Sequence, residues 1–188
     1  MTAKTGRKNR PQAPGTSAAE DLARMIRVDH AGESGAVRIY QGQLAVLGAR
    51  KSKAASAIKR METEEQRHLA AFDTLINERR VRPTALEPVW RLAGFALGAA
   101  TALLGEKAAM ACTAAVEEVI DEHYAGQIEQ LGDREPEFKK TVARFRAEEI
   151  AHRDEALAHG AQEAPAYRLL SETIKAGCRL AIGLSTRI

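Results

Sequence analysis

The sequence predicts an all-α fold: a bundle of four long helices, with a crossover helix between two hairpins and an extra helix at the C-terminal end. Three observations predict it. The composition is 45% hydrophobic but only 4% aromatic, and Ala, Leu, Glu and Arg, all good helix formers, are abundant. The six prolines (Pro11, Pro14, Pro83, Pro88, Pro136 and Pro165) fall between stretches of helical periodicity, and Gly48 and Gly132 add two further breaks. The sequence also aligns with itself at an offset of 84 residues. RMETEEQRH (60–68) then lies over RFRAEEIAH (144–152), YQGQL (40–44) over YAGQI (124–128), and Glu33 over Glu117. A repeat of this size implies two similar helical hairpins rather than a short solenoid unit.

The breaks give helices at about 19–47, 51–80, 89–104, 106–131, 137–159 and 166–183. Residues 18–188 read as one domain containing two pseudo-repeats, about 24–80 and 108–160. Residues 1–17 read as a disordered basic tail. Lys4, Arg7, Lys8 and Arg10 give its first ten residues +4, so the net charge of +3 leaves the rest at −1. The domain therefore lacks the basic, aromatic-studded face that nucleic-acid binding needs. The tail has no apolar core and is not a secretory signal. Cys112 and Cys178 form no CxxC; each reads as a buried thiol, which fits a reducing, cytosolic environment.

Each long helix carries a seam of alternating three- and four-residue steps. Helix one runs Ile26, His30, Glu33, Val37, Tyr40, Leu44, Leu47. Helix two runs Ile58, Met61, Glu65, His68, Phe72, Leu75. Helix four runs Met110, Glu117, Ile120 or Asp121, Tyr124, Ile128, Leu131, and helix five Phe138, Val142, Phe145, Glu149, His152, Ala156. Glu and His thus occupy core positions where Leu would normally sit. Glu64, Glu118 and Glu148 fall one position off the seam, which argues against them as ligands. Hairpin geometry agrees. The midpoint of Glu33 and Glu65 is residue 49, beside Gly48, and that of Glu117 and Glu149 is residue 133, beside Gly132. Both carboxylate pairs are therefore level, about 24 Å from their turns.

Four carboxylates and two imidazoles in one dry layer repel, and an unpaired buried anion costs several kcal/mol. Bound cations remove that cost. Two single Glu plus two Glu-x-x-His pairs is the known ligand set of ferritin-like di-iron and di-manganese bundles. Mixed carboxylate and imidazole donors suit iron or manganese, whereas structural zinc favours Cys and His. One EExxH alone would read as a solvated charged face. Two copies on seam positions, each with a Glu partner 32 residues upstream, read as a metal site built from Glu33, Glu65, His68, Glu117, Glu149 and His152.

The stretch RVDHAGESGAVRIYQGQLAVL (27–47) resembles the demethoxyubiquinone hydroxylase family of ubiquinone biosynthesis. The similarity continues through RVRPTALEPVWRLAGFALGAATALLGEKAAMACTAAVEE (80–118), EEIAHRDEAL (148–157) and APAYRLLSETIKAGCRLAIGLS (164–185). The family's metal residues map onto the same six positions, and the resemblance implies two iron ions per chain bridged by Glu65 and Glu149. It implies an O2-dependent monooxygenase hydroxylating a polyprenylated methoxy-methyl-benzoquinol, with electrons from NADH or from the quinol itself. It also implies peripheral attachment to the cytoplasmic side of the cell membrane, and association with other ubiquinone-biosynthesis proteins.

No GxGxxG element is present, so a Rossmann site for NADH is excluded. Arg24, Arg179 and Arg187 are candidates for NADH binding if the last helix folds back, although solvated surface charge is the plainer reading. Gly32, Ser34 and Gly35 are poor helix formers around Glu33; room for substrate or O2 and close helix packing explain them equally well. His123 is a candidate to face the pocket, and Tyr124 reads as core. Asp29 and His30 are candidate partners of the ligands, with His30 equally readable as a satisfied core histidine. From Leu92 to Gly105 fourteen residues carry no charge. That is too short to cross a bilayer, so the crossover is expected to dip into one leaflet, with Trp90 and Arg91 at the headgroups and the apolar face of the last helix (Tyr167, Leu170, Ile174, Ala181) beside it. Two competing functions use the same residues: a ferritin-like iron oxidase or peroxide scavenger, and a non-catalytic quinone-binding protein with structural metals.

Overall fold

The computed structural model describes residues 17–188, and among them it is a ferritin-like all-helical bundle. Its helices are α1 (Ala18–Leu47), α2 (Lys53–Glu78), α3 (Glu87–Leu103), α4 (Glu106–Leu131), α5 (Pro136–Ala158) and α6 (Tyr167–Ser185), with a 3-10 turn at Ala161–Glu163. Each lies within two residues of its expected bounds. The tail lies outside the described residues except for Ser17. That residue is the N-cap of α1: it accepts a bond from the Glu20 amide while Glu20 reaches back to its own amide. Ser52 caps α2 by accepting a bond from the Ala55 amide. Pro88 and Pro136 sit in the first turns of α3 and α5 rather than between helices, where a missing amide hydrogen costs nothing.

α1 and α2 form one hairpin, and α4 and α5 the other; α3 lies along α1 and α6 along α4. Two apolar clusters fill the bundle interior, and a third, around Ile39, Cys112 and Ile174, joins it to α3 and α6. Of the two interior clusters, one is built around Tyr40, Leu47, Ile58, Met61, Met110 and Ala156, the other around Ile26, Phe72, Tyr124, Val142 and Phe145. The charged seam positions lie between them, because Glu65 and His68 follow Met61 and precede Phe72 on one helical face. The expected seam holds around the charged layer but loosens elsewhere: Ile76 rather than Leu75 is buried on α2, Leu44 is only half-buried on α1, and Ile120, Asp121 and Ile128 are only half-buried on α4.

α3 is assembled with its small residues inward. Gly94, Gly98, Thr101 and Ala102 are its buried positions, while Leu92, Phe95 and Leu103 face outward. A Cβ on Gly98 would stand 1.9 Å from the Ile39 carbonyl oxygen, and one on Gly42 would stand 2.2 Å from that of Phe95. The two backbones thus touch, and Gly35 takes part, its carbonyl lying 2.8 Å from a Cβ placed on Gly94. Close packing, with a bond from Ser34 to Glu87 (3.4 Å), accounts for Ser34 and Gly35. Gly98→Ala is accordingly expected to destabilise the protein by about 1–3 kcal/mol, as overpacking does. Gly126→Ala, at an exposed helical position with nothing within 4 Å, should be neutral or stabilising; thermal denaturation of the two variants checks both.

α6 corrects one expectation. Tyr167, Leu170 and Ile174 pack on the bundle rather than forming an outer face, and the exposed large residues of this end are Leu169, Leu180 and Ile188. Trp90 ties α3 to α6 through its indole N–H, which donates to Ser185 Oγ (2.9 Å). No helix among the described residues is long and apolar enough to cross a membrane.

Candidate metal centre

All six seam residues are buried and meet at one level of the bundle. Glu33 comes from α1, Glu65 and His68 from α2, Glu117 from α4, and Glu149 and His152 from α5. They form two groups that can each hold a metal ion: Glu33, Glu65, His68 and Glu149, and Glu65, Glu117, Glu149 and His152. Within each group the ligand atoms lie within 4.8 Å of one another. Glu65 and Glu149 belong to both groups.

Each imidazole turns Nδ1 into this layer. His68 Nδ1 lies 3.0 Å from Glu149 Oε1 and 3.6 Å from Glu33 Oε2. His152 Nδ1 lies 3.0 Å from Glu65 Oε1 and 3.4 Å from Glu149 Oε2. The ring of His68 stacks on Phe145 with centroids 4.1 Å apart, which fixes its plane. The opposite nitrogens meet two residues that lie one position off the seam. His68 Nε2 is 2.7 Å from Glu148 Oε2, and His152 Nε2 is 2.7 Å from Glu64 Oε2. The doublet in EExxH is thereby explained: its second Glu faces the centre, and its first holds the histidine of the other hairpin. A carboxylate on the far nitrogen fixes tautomer and ring direction in metal sites.

The tyrosines repeat this exchange. Tyr40 donates its hydroxyl to Glu117 Oε1 (2.6 Å), and Tyr124 donates to Glu33 Oε1. Tyr124 is therefore core, as read, but also a partner of a centre residue. Both offsets are 84 residues, so the repeat carried the signal. Asp29 and His30 make other contacts. Asp29 accepts from Gln127 (2.6 Å) and pairs with His123 (3.0 Å), and His30 pairs with Asp73 (3.0 Å).

Burial drives the electrostatics. It holds the Glu33 carboxyl well above the usual range, against the attraction of the nearby His68, while the charges of Glu65 and Glu149 add to the rise. Glu117 is raised for the same first reason, then by repulsion from Glu149 and Glu65. Burial acts upward on Glu65 too, but the attraction of the nearby His152 and His68 imidazoles outweighs it and brings this carboxyl to about 2. Burial works against protonated His152, yet Glu149 and Glu65 push it up to about 12, and His68 is raised likewise. Glu65 Oε1 and Oε2, Glu149 Oε1 and Oε2, Glu33 Oε2, Glu117 Oε2 and both histidine Nδ1 atoms are nevertheless buried without hydrogen-bond partners. Such groups are costly to leave unmade. Two divalent cations coordinated by these eight atoms would satisfy them, and an all-carboxylate and imidazole donor set suits iron or manganese.

The family model described as "Ubiquinone biosynthesis protein COQ7" matches residues 20–185. The chain belongs to this family. It is 56% identical over 185 residues to the 3-demethoxyubiquinol 3-hydroxylase of Rhodospirillum rubrum, covering 98% of this chain and 86% of that one. It is 52% identical over 169 residues to the mitochondrial NADPH-dependent 3-demethoxyubiquinone 3-hydroxylase of Homo sapiens (88% and 77% covered). The mitochondrial 5-demethoxyubiquinone hydroxylase of Saccharomyces cerevisiae is 42% identical over 182 residues (89% and 78%).

Because Glu64 holds the His152 imidazole, it is a sharper probe of the centre than its position one step off the seam suggests. Glu64→Gln should leave the fold intact and lower metal affinity by about 10–100-fold, the usual effect of removing a histidine's outer carboxylate. A competitive chelator titration measures it.

Proposed function

We infer that this COQ7-family protein is a di-iron monooxygenase that hydroxylates the ring of a polyprenylated methoxy-methyl-benzoquinol in ubiquinone biosynthesis. The observation that carries the reading is the pair of metal-holding groups sharing Glu65 and Glu149, set in a chain whose relatives are named as demethoxyubiquinol or demethoxyubiquinone hydroxylases. The relatives support this reading and not a ferritin-like iron oxidase or peroxide scavenger.

Glu33, Glu65, His68 and Glu149 would hold one iron, and Glu65, Glu117, Glu149 and His152 the other. The bound irons supply the redox capacity to activate O2. The chain's own residues do the rest. Glu64 and Glu148 hold the imidazoles in register, Tyr40 and Tyr124 hold the outer carboxylates, and the two apolar clusters keep water from the layer. We assign a reduced nicotinamide nucleotide as electron donor; the human relative's name specifies NADPH. Of the three arginines considered for it, Arg24 is engaged by Asp21 (3.1 Å) and Arg179 by Glu122 (3.0 Å). Anaerobic reduction of the iron-loaded protein by NADH or NADPH with a short-chain demethoxyubiquinone, followed by O2 and product mass analysis, tests the assignment. A gain of one oxygen atom is expected; turnover of iron or peroxide without ring product would contradict it.

The same reading places the protein on a membrane surface on the cytoplasmic side, because the substrate's isoprenoid tail stays in the bilayer. Support comes from Val89, Leu92, Phe95 and Leu103, large apolar side chains of α3 that are 40–74% exposed where a soluble helix would be polar. Leu92→Glu and Leu103→Glu are expected to release the protein from phosphatidylcholine–phosphatidylglycerol vesicles in flotation while keeping turnover of a short-tailed substrate. Unchanged flotation would sink this placement. Leu97 is no such probe, since it packs into the cluster with Ile39, Cys112 and Ile174.

A further inference from the structure

The offset that relates the two halves holds throughout the metal centre and breaks one turn before Glu33. His30 and Asp73 of the first half correspond to Ala114 and Leu157 of the second. Ala114 is buried, and Leu157 packs against the same apolar cluster, so hydrocarbon fills that place without difficulty. In the first half an imidazole and a carboxylate stand there instead, with His30 Nε2 3.0 Å from Asp73 Oδ1. A buried imidazole at a position where a methyl group suffices costs stability unless it is paired. The fold does not need it.

The pair runs from solvent into the bundle. The Asp73 side chain is 59% exposed and that of His30 only 6%. His30 Nδ1 is buried with no partner. Three residues along α1, on the same face, comes Glu33, with Cβ atoms about 5–6 Å apart at this helical spacing. Both members of the pair line a groove of about 360 Å³ between α1, α2 and α3, beside the polar Ser34, Gln41 and Gln66. The charged groups around His30 are Arg38 on α1, Asp73 on α2, and Glu87 and Arg91 on α3. Arg38 bonds Gln41, and Glu87 bonds Ser34 and lies 4.0 Å from Arg91. Asp73 is the carboxylate left to the imidazole.

Hydroxylation creates a demand that this pair can meet. A ring C–H becomes C–OH with one atom of O2, and the other atom leaves as water. Two electrons from the nicotinamide donor and two protons balance each turnover. The centre lies between two apolar clusters, so the protons need a path. We propose that His30 and Asp73 are the proton relay of the metal centre: Asp73 takes protons from solvent, and His30 receives them at Nε2 and releases them from Nδ1 toward the Glu33 side. Neither residue ligates a metal or touches the ring; both are positioning residues for proton delivery. The assignment rests on the hydroxylase reading.

Asp73→Asn keeps the shape of the pair and removes its charge. It is expected to lower kcat by about 100-fold, within the usual range for a proton-transfer group. Iron content and KM for a short-chain demethoxyubiquinol should stay at parental values. The solvent deuterium isotope effect on kcat should rise as proton delivery becomes slower. The double variant His30→Ala/Asp73→Leu copies Ala114 and Leu157. It should fold, bind iron normally and show the same loss, and added imidazole should restore part of the activity of His30→Ala alone. Parental kcat and isotope effect in Asp73→Asn would overturn the relay, as would iron lost in step with activity. Failure of the hydroxylase reading would appear separately, as absence of product in the parent protein.

Discussion

The Glu65→Ala variant is expected to form no hydroxylated product and to retain neither iron at parental affinity. Glu65 belongs to both metal-holding groups, so its loss removes a ligand from each ion, whereas loss of Glu33 or Glu117 removes one from a single group. The two histidines would also lose a shared anchor, since His152 Nδ1 lies 3.0 Å and His68 Nδ1 3.7 Å from its carboxylate. The fall in activity should be on the order of a thousandfold or more, beyond the 10–100-fold effect of an outer carboxylate such as Glu64. Glu149→Ala should match it, because Glu149 takes the equivalent place in the second half. Activity retained in Glu65→Ala but lost in Glu64→Ala would put the seam register wrong by one residue. Metal analysis and single-turnover product measurement together decide it.

Metal removal should reverse the ordinary relation between pH and stability. Glu33 and Glu117 are raised above the normal carboxylate value of 4.5, so the folded metal-free protein holds protons that the unfolded chain releases. Their protonated contribution is present below pH 4.5 and is lost as pH climbs through the raised values. His152, raised from 6.5 to about 12, acts in the same sense: its contribution is full below pH 6.5 and fades toward 12. Glu65, lowered to about 2, acts oppositely, but its window lies between pH 4.5 and 2. Between pH 5.5 and 8.5 the metal-free protein should therefore lose stability with rising pH, by about 1.4 kcal/mol per pH unit for each proton retained on folding. Cations replace those protons, so the loaded protein should show a flatter profile, and its metal affinity should rise with pH. Glu33→Gln should flatten the metal-free slope. Calorimetric melting with and without iron across this range checks the sign; a metal-free protein that gains stability with pH would contradict it.

Much of the centre was legible because helical period and hairpin symmetry are both exact constraints. A Glu at a seam position must enter the core, and residues equidistant from Gly48 or Gly132 must lie level, so Glu33, Glu65, Glu117 and Glu149 could be placed without contacts. The partners of the histidines were not. Glu64 and Glu148 point across the bundle from positions just off the seam, and reaching His152 and His68 depends on how the two hairpins face each other, which one helix's periodicity does not contain. Tyr124 reads as core for a similar reason: burial is periodic, but a hydroxyl finding Glu33 on another helix is tertiary. α3 was misleading in a different way. Its uncharged run announced an apolar helix, but the side turned inward was chosen by backbone contact at Gly94 and Gly98, not by hydrophobicity. α6 shows the converse, since its apolar face was taken up by α4 and was not left for a surface.

The central claim is that the two halves jointly hold two ions through shared Glu65 and Glu149. Titration of ferrous iron into anaerobic metal-free protein, with bound metal counted after gel filtration, tests it most directly. Two ions per chain in the parent, with both bound weakly in Glu65→Ala and in Glu149→Ala, is the predicted result. One ion per chain at saturation, or two that persist when either shared glutamate is removed, would contradict it.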